Sequence, residues 1–131
     1  MAPHPYSALA TLIVLVVFLW TLALVARARA RHGVVAPAVT GHEIFERCFR
    51  VQMNTLEQMI LLLPALWLCA FWVGDLYAGL GGLIWSLGRV LYGLGYVQEP
   101  RKRATGFYMT IAPTAIMVVA DAVAVVNFLL S

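Results

Sequence analysis

Long apolar runs, separated by short polar segments, dominate the hydrophobic pattern of this chain. A helix needs about 20 mostly apolar residues to cross the hydrocarbon core of a bilayer. Four runs predict membrane helices at about 7–31, 44–73, 76–97 and 104–130. Because the runs are continuous, the alternating strands of a membrane barrel are not expected. The pattern therefore predicts an all-α membrane protein, a four-transmembrane-helix bundle forming a single domain over residues 1–131.

The composition supports lipid as the solvent for most of the protein. Of 131 residues, 63% are hydrophobic and 11% are charged, and the mean hydropathy is +0.88. Soluble domains carry about 25% charged residues, and a short soluble chain cannot hide this much apolar surface. A soluble enzyme and a nucleic-acid-binding domain are therefore excluded. Cys48 and Cys69 stand alone in apolar runs, so neither a metal site nor a disulfide framework is predicted.

The basic residues cluster around two of the connections between predicted helices. Arg27, Arg29 and Arg31 end the first helix, Arg47 and Arg50 begin the second, and Arg101, Lys102 and Arg103 precede the fourth, so that only Arg89 lies elsewhere. By the positive-inside rule, these connections face the cytoplasm and both termini lie outside. The first apolar run follows no basic segment and is too long for a signal peptide, so we expect it to be retained. We expect a multi-pass protein of a bacterial inner membrane.

One face of the second predicted helix carries a stripe of polar side chains. Its members follow one another at spacings of four, three, four and three, which places them within an arc of roughly 80°. Ionisable groups in membrane helices are costly and usually face a bundle interior or a wet cavity. The stripe consists of Glu43, Arg47, Arg50, Asn54 and Glu57.

Polar residues on other helix faces suggest a binding site that is shared between subunits. Gln52 points to nearly the opposite side of the same helix, where it also needs a polar neighbour. On the third predicted helix, Arg89, Tyr92 and Tyr96 share one face, and Arg103 begins the fourth. Together with the stripe on the second helix, these residues predict one pocket on the cytoplasmic side. Arginines pair with carboxylates or phosphates, so this pocket suits a small zwitterion with surplus negative charge.

A simpler interpretation stays open for several of these residues. The charges of the second helix can pair along that helix, and Arg89 can merely brace the bundle. Tyr92 and Tyr96 can equally belong to an interfacial aromatic belt. Asp121 and Asn127 lie far from the basic residues, near the outer face, and a purely structural role is the simpler expectation for both.

Two motifs resemble the signature of the MAPEG superfamily, the membrane-associated proteins in eicosanoid and glutathione metabolism. Residues 46–57 follow the pattern E-R-x-x-R-x-Q-x-N-x-x-E. Residues 88–96 read Gly-Arg-Val-Leu-Tyr-Gly-Leu-Gly-Tyr, and residues 99–103 read Glu-Pro-Arg-Lys-Arg. Within the superfamily, these motifs look most like those of the microsomal glutathione S-transferase 3 branch.

The resemblance implies a left-handed helical bundle that assembles as a homotrimer, with glutathione as co-substrate at each subunit interface near the cytoplasmic side. It implies that Arg103 is the catalytic residue and stabilises the thiolate. It further implies that an arginine ending the first helix contacts glutathione; Arg29 is the better match and Arg31 the alternative. The other implied glutathione-binding residues are Arg50, Asn54, Glu57, Tyr92, Tyr96 and, from the neighbouring subunit, Gln52.

The implied function is that of a glutathione transferase or peroxidase acting on lipophilic electrophiles or lipid hydroperoxides. The alternative is a non-catalytic membrane protein that binds lipid or glutathione, similar to the lipoxygenase-activating protein of the same superfamily. The chain departs from many relatives in having its proline, Pro64, seven residues after Glu57 instead of closer to it. The shape of the hydrophobic groove, and hence the identity of the electrophile, is therefore left open.

Overall fold

A computed structural model of the protein describes residues 3–131, which form four long helices. The helices are α1 (Pro5–His32), α2 (Glu43–Trp72), α3 (Asp75–Gln98) and α4 (Ala104–Leu130). No strand occurs between residues 3 and 131, so the all-α prediction is confirmed. The basic segment expected as a loop before α4 is instead a 3-10 helical turn, Pro100–Arg103, which leads directly into α4.

Local chemistry explains where these helices begin and end. Pro5 opens α1, where a missing N–H costs nothing, and Gly33 closes it with a left-handed φ of 66°. The N–H of Gly33 donates to the carbonyl of Arg29. His42 caps α2, because its Nδ1 accepts the N–H of Ile44 at 3.1 Å. The connection between α1 and α2, residues 33–42, is the longest non-helical segment in the described chain.

The third helix is the structural centre of the bundle. Short connections make successive helices antiparallel, and α3 contacts each of the other three. Its Trp85 is fully buried beside Leu62 and Leu66 of α2 and Val14 of α1. In lipid such a core is stabilised by van der Waals packing between the helices, because lipid tails are as apolar as the side chains themselves.

Glycines allow the helices to approach closely. A Cβ atom added to Gly82 of α3 would lie 2.7 Å from Leu66 Cδ1 and 2.8 Å from Ala10 Cβ. A Cβ atom added to Gly106 of α4 would lie 2.2 Å from the backbone nitrogen of Tyr92 and 2.5 Å from the carbonyl oxygen of Gly88. Small residues in membrane helices permit this kind of backbone approach. The close crossing of α3 and α4 at Gly106 places Tyr92 against α4.

A hydrogen-bonded contact joins the beginnings of α1 and α3. The carboxylate of Asp75 accepts the backbone N–H of Tyr6 at 3.0 Å, the N–H of Ser7 at 2.9 Å and the Ser7 hydroxyl at 2.6 Å. The acid therefore caps two N–H groups that the first turn of α1 cannot satisfy internally. This contact lies at the opposite end of the bundle from the clustered arginines.

Three helices have the length and composition of membrane spans: α1, α2 and the stretch from Pro100 to Leu130 that contains α4. The third helix does not reach the same hydropathy, since six glycines and Arg89 take the place of larger apolar residues. Many large apolar side chains on the outside of the bundle are exposed, among them Leu19 of α1 and Ile60 of α2. Such a surface is that of an integral membrane protein.

Candidate functional site

The antiparallel arrangement gathers the basic residues at one end of the bundle. Arg29 lies in the last turn of α1, Arg50 lies near the start of α2, and Arg103 ends the 3-10 turn before α4. These positions lie far apart in sequence but belong to helix ends that meet. We call this end, marked by Arg29, Arg50 and Arg103, the basic end.

A series of neighbouring arginine and tyrosine side chains runs from the basic end into the bundle. The guanidinium carbon of Arg103 lies 5.6 Å from the centre of the Tyr96 ring, and the rings of Tyr96 and Tyr92 are 5.7 Å apart. The guanidinium of Arg89 lies 4.0 Å from the centre of the Tyr92 ring. Cations over aromatic faces attract the ring quadrupole, more strongly where water is excluded. The series links exposed Arg103 to Arg89, which is fully buried.

Arg89 is held by Asn54 of α2. Both terminal nitrogens of Arg89 donate to the Asn54 side-chain oxygen, each at 3.0 Å, while its Nε has no partner among the described residues. A buried guanidinium needs such partners because an unpaired charge in the interior is very costly. Sequence reasoning placed Arg89 on the same face as Tyr92 and left open whether it belongs to the pocket or braces the bundle. Its pairing with Asn54 depends on how α2 and α3 pack, which spacing along one helix does not reveal.

A depression at the start of α2 brings Arg50 and Tyr96 together. It has a volume of about 240 Å³, and Glu43, Glu46 and Arg47 complete its lining. Arg47 is engaged by Glu43 and by two backbone carbonyl oxygens at the end of α3, at 3.0 and 3.1 Å. Arg50 is exposed and makes no hydrogen bond to another residue in 3–131. Arg50 is therefore the arginine of this depression that remains open to an anionic ligand.

Arg103 also lines a second depression, of about 390 Å³, with Phe107 and Tyr108 of α4. Its Nη1 donates to the carbonyl oxygen of Pro100 at 2.9 Å, which fixes one edge of the guanidinium. Because the group also lies over Tyr96, it stands between the Arg50 depression and this one. A guanidinium with unoccupied N–H donors at such a junction can stabilise an anion from either side.

The two arginines that end α1 differ in their surroundings. Arg29 donates to the carbonyl oxygen of Ala38 at 2.7 Å and lies 4.7 Å from the centre of the Phe45 ring. It therefore ties the connection between α1 and α2 to the bundle. Arg31 is exposed and has no hydrogen bond or ion pair with another described residue.

One chain brings only some of the predicted glutathione-binding residues together. Glu57 is exposed on α2, and Gln52 is half-buried there; neither lines the depression of Arg50 and Tyr96. The predicted residues that the single chain joins by contact or in one depression are Arg50, Asn54, Tyr92, Tyr96 and Arg103, with Arg89 linking Asn54 to Tyr92.

Most of the chain matches a known protein family. The sequence model of the MAPEG family matches residues 7–123, which cover α2 and α3 completely and most of α1 and α4. The chain belongs to the MAPEG family. This MAPEG protein contains no group of three or more histidine, cysteine or acidic side chains placed to hold a metal ion within residues 3–131. The resemblance seen in the sequence motifs is confirmed for the family; its link to the type 3 branch stays a prediction.

Individual proteins similar to this MAPEG protein include bacterial and mammalian ones. An uncharacterized protein of Synechocystis sp. is 46% identical over 89% of this chain and 82% of its own length. Human microsomal glutathione S-transferase 2 is 35% identical over 79% of this chain and 70% of its own length. Guinea pig (Cavia porcellus) leukotriene C4 synthase is 36% identical over 64% of this chain and 56% of its own length.

Proposed function

We propose that the protein is a membrane-embedded glutathione transferase that activates the glutathione thiol for attack on lipophilic electrophiles. Membership of the MAPEG family and the likeness to proteins named glutathione S-transferase support the co-substrate. The observation that carries the proposal is the placement of Tyr96, which lines the depression of Arg50 and lies beneath the guanidinium of Arg103. An anionic tripeptide bound at Arg50 would thus have its thiol within reach of a second guanidinium.

Arg103 would act on the thiol. A free thiol has a pKa near 8.5, and the thiolate is the nucleophile. Each unit by which the pKa falls requires about 1.4 kcal/mol of differential stabilisation, which Arg103, exposed in the single chain, could supply where the bound reactants and the neighbouring subunit exclude water. The thiol proton passes to water, the thiolate sulfur then bonds to the electrophilic carbon, and the leaving group departs with its electron pair. Positioning both reactants contributes the remainder of the acceleration.

The other residues would bind and orient glutathione. Arg50 would hold one of its carboxylates, and an arginine at the end of α1 would hold the other, since guanidinium pairs with carboxylate in a bidentate manner. Arg31 is open to this role in the single chain, whereas Arg29 already binds the connection after α1. Glu57 would hold the ammonium group of glutathione. Asn54, whose oxygen is occupied by Arg89, would retain its side-chain NH₂ group as a donor.

A homotrimer would complete this site. Exposed Glu57 and half-buried Gln52 carry polar groups in a helix that composition assigns to the membrane, and such groups need polar neighbours there. Because Gln52 and Arg50 face different directions from α2, one subunit would supply Gln52 and its neighbour would supply Arg50 and Glu57. The lipophilic electrophile would enter from the bilayer between α1 of one subunit and α4 of the next.

In this proposal, all four helices cross the membrane and the basic end faces the cytoplasm. α3 has 24 residues, which gives a length of about 36 Å and exceeds a hydrocarbon core of about 30 Å. Its glycines and Arg89 lie against the neighbouring helices, while leucines such as Leu87 are exposed and would face lipid, so its lower mean hydropathy is compatible with a span. The positive-inside rule places the arginines of the basic end in the cytoplasm and both termini outside, in a bacterial inner membrane.

The test is an activity panel on the purified chain in detergent with glutathione. Aryl halides report transferase activity, lipid hydroperoxides report peroxidase activity, and the ultraviolet difference spectrum reports thiolate formation. We expect thiolate absorbance on adding glutathione and conjugation of at least one aryl halide. Glutathione binding without thiolate absorbance or turnover would overturn the proposal in favour of a non-catalytic binding protein. Native mass spectrometry of the same sample tests the trimer.

A further inference from the structure

Arg89 carries a positive charge into the bundle interior, where Asn54 is its one hydrogen-bonding partner among the described residues. Both terminal nitrogens of fully buried Arg89 donate to the Asn54 side-chain oxygen, and no ion pair within residues 3–131 includes Arg89. The ring centres of Tyr92 and Trp85 lie 4.0 and 6.0 Å from its guanidinium carbon. An ionised side chain in a membrane helix is costly, and apolar residues often brace a bundle equally well. Bracing α2 against α3 therefore does not by itself account for an arginine here.

The two hydrogen bonds from Arg89 fix the orientation of the Asn54 carboxamide. A guanidinium only donates hydrogen bonds, so the group that faces it must be the oxygen, and the NH₂ group is turned away from it. Asn54 is half-buried, and its nitrogen, unlike the Nε of Arg89, is not sealed inside the protein. This nitrogen makes no hydrogen bond to another described side chain or carbonyl. Its N–H donors are therefore available at the surface of α2.

That surface carries the stripe of polar residues to which the glutathione site is assigned. Arg50 precedes Asn54 by four residues and Glu57 follows it by three, so the three share one face of α2. Both Arg50 and Glu57 are exposed. An amide whose oxygen accepts charge-assisted hydrogen bonds is polarised, which makes its NH₂ group a better donor. The acceptor that such a donor suits best is an anionic oxygen, such as a carboxylate oxygen held beside Arg50.

We propose that Arg89 is a positioning residue, which holds the Asn54 carboxamide so that its NH₂ group donates to an oxygen of bound glutathione. This role rests on the proposed function, because it requires glutathione on this face of α2. Arg89 itself is fully buried and does not touch the ligand. Without Arg89, the oxygen of Asn54 would turn toward water and the NH₂ group would lose its fixed direction. Binding would then have to order a donor that Arg89 orders in advance.

The experiment measures glutathione affinity by isothermal titration calorimetry of the full chain in detergent, together with thiolate absorbance at saturating glutathione. Arg89→Met removes the charge and both donors but keeps a long apolar side chain beside Tyr92. We expect it to weaken glutathione binding about tenfold, the usual order for losing a hydrogen bond to a charged group. Thiolate absorbance at saturation, which the proposed function assigns to Arg103, should change much less. The thermal midpoint should stay close to that of the unchanged protein, because the variant also removes a buried charge.

A double-mutant cycle decides whether Arg89 acts through Asn54. Asn54→Ala removes the NH₂ donor, so adding Arg89→Met to this variant should weaken glutathione binding no further. Two independent residues would instead lower the affinity by the product of their separate effects. A further tenfold loss in the double variant would thus overturn the positioning role, and would give Arg89 a direct electrostatic effect on the anionic ligand. Each variant is measured well below its own thermal midpoint.

Two further variants make the result specific. Ser86→Ala removes another buried polar side chain of α3, which donates to the carbonyl of Gly82 in the same helix, and it should bind glutathione like the unchanged protein. Arg89→Lys keeps the charge and one donor, so it should weaken binding less than Arg89→Met, and it keeps the test valid if Arg89→Met fails to fold.

The outcomes separate the role of Arg89 from the proposed function. Unchanged glutathione affinity in both Arg89 variants would overturn the positioning role alone. A lower thermal midpoint in Arg89→Met, with affinity and thiolate formation lost together, would also overturn it and would make Arg89 a structural residue. Absence of glutathione binding by the unchanged protein would overturn the proposed function, and the positioning role with it.

Discussion

The side-chain oxygen of Asn54 on α2 accepts a hydrogen bond from each terminal nitrogen of Arg89 on α3, both at 3.0 Å. Arg89 is fully buried, and its guanidinium also lies over the ring of Tyr92. One polar contact thus fixes the relative position of α2 and α3 and the placement of a tyrosine that leads to the basic end. Because Asn54 also belongs to the proposed glutathione site, stability and binding are linked at this residue.

Replacing Asn54 should therefore destabilise the fold. Asn54→Ala leaves the buried guanidinium without its acceptor, and losing hydrogen bonds to a charged group costs about 1.5–3 kcal/mol. We expect a clearly lower thermal midpoint by tryptophan fluorescence in detergent. Asn54→Asp, which restores an acceptor, should recover most of the loss. Gln98→Ala, at the exposed end of α3, is the control and should leave the midpoint unchanged. Equal midpoints for Asn54→Ala and the unchanged protein would refute the importance of this contact.

Arg103→Ala should lower turnover more than glutathione affinity. The substitution removes the guanidinium over Tyr96, so the bound thiol would lose about one unit or more of pKa depression and roughly tenfold of thiolate near neutral pH. The measurement is kcat and KM for glutathione, together with thiolate absorbance as a function of pH. Lys102→Ala removes an exposed positive charge from the same turn and should have little effect. Unchanged kcat in Arg103→Ala would remove this residue from the catalytic role.

Gly106→Ala should disrupt the crossing of α3 and α4. The added methyl would meet the backbone of Tyr92 and Gly88, which cannot move aside as a flexible side chain can. Overpacking of this kind costs typically about 1–3 kcal/mol, and it would also displace Tyr92. We expect a reduced thermal midpoint and weaker glutathione binding. Thr105→Ala, the exposed neighbour, should change neither. A Gly106→Ala variant as stable as the unchanged protein would contradict the close approach.

Arg29→Ala should loosen the connection between α1 and α2. Arg29 donates to the carbonyls of Ala38 and Val34 and packs over Phe45, so its loss leaves residues 33–42 with fewer anchors. Limited proteolysis in detergent should cleave this connection faster in Arg29→Ala than in the unchanged protein. Arg31→Ala, which removes an exposed arginine from the same turn, should be cleaved at the unchanged rate. Equal cleavage in all three proteins would show that Arg29 does not hold the connection.

The contact between Asp75 and α1 should make stability sensitive to acid. Partial burial tends to raise the pKa of Asp75, but hydrogen bonds from Ser7 and Tyr6 outweigh it and lower the pKa below its ordinary value. A carboxylate whose pKa is lower in the folded state stabilises the fold above its unfolded pKa, about 3.9. That contribution disappears as the pH falls through the folded pKa. The thermal midpoint of Asp75→Asn should thus lie below that of the unchanged protein at neutral pH, with the difference shrinking as the pH falls below about 3.9. A constant difference across this range would contradict the assignment.

Sequence periodicity was informative wherever one helix by itself carried the signal. The apolar runs indicated an all-α membrane protein, and the spacing of Arg89, Tyr92 and Tyr96 indicated one shared face, which the stacking of these side chains bears out. The motif from Glu46 to Glu57 was enough to indicate the family, since it is a local string of residues. Periodicity did not reveal that the segment ending in Arg103 is helical, because Pro100 and three basic residues also suit a loop.

The periodicity of the sequence did not reveal which residues of different helices contact each other. Nothing in the chain's pattern paired Ser7 with Asp75, which are 68 positions apart, or Asn54 with Arg89, which are 35 apart. Asp121 was expected to be structural, yet the fold leaves both of its oxygens without a partner. The reason is geometric: a pattern of apolar and polar positions says which face of a helix turns inward, but not which residue of another helix it meets.

For this protein, the order of residues alone determined helices of membrane-spanning length, an end rich in arginine and membership of a family. The preference of apolar residues for lipid and the cost of charge in lipid act on each segment separately. Each segment's own sequence is therefore enough to reveal them. Only the tertiary structure decided that Tyr96 stands between Arg50 and Arg103, that Arg29 is tied to the connection after α1, and that Asp121 is buried with no partner among the described residues. These relations arise from close packing between helices, where glycines such as Gly106 set the distances.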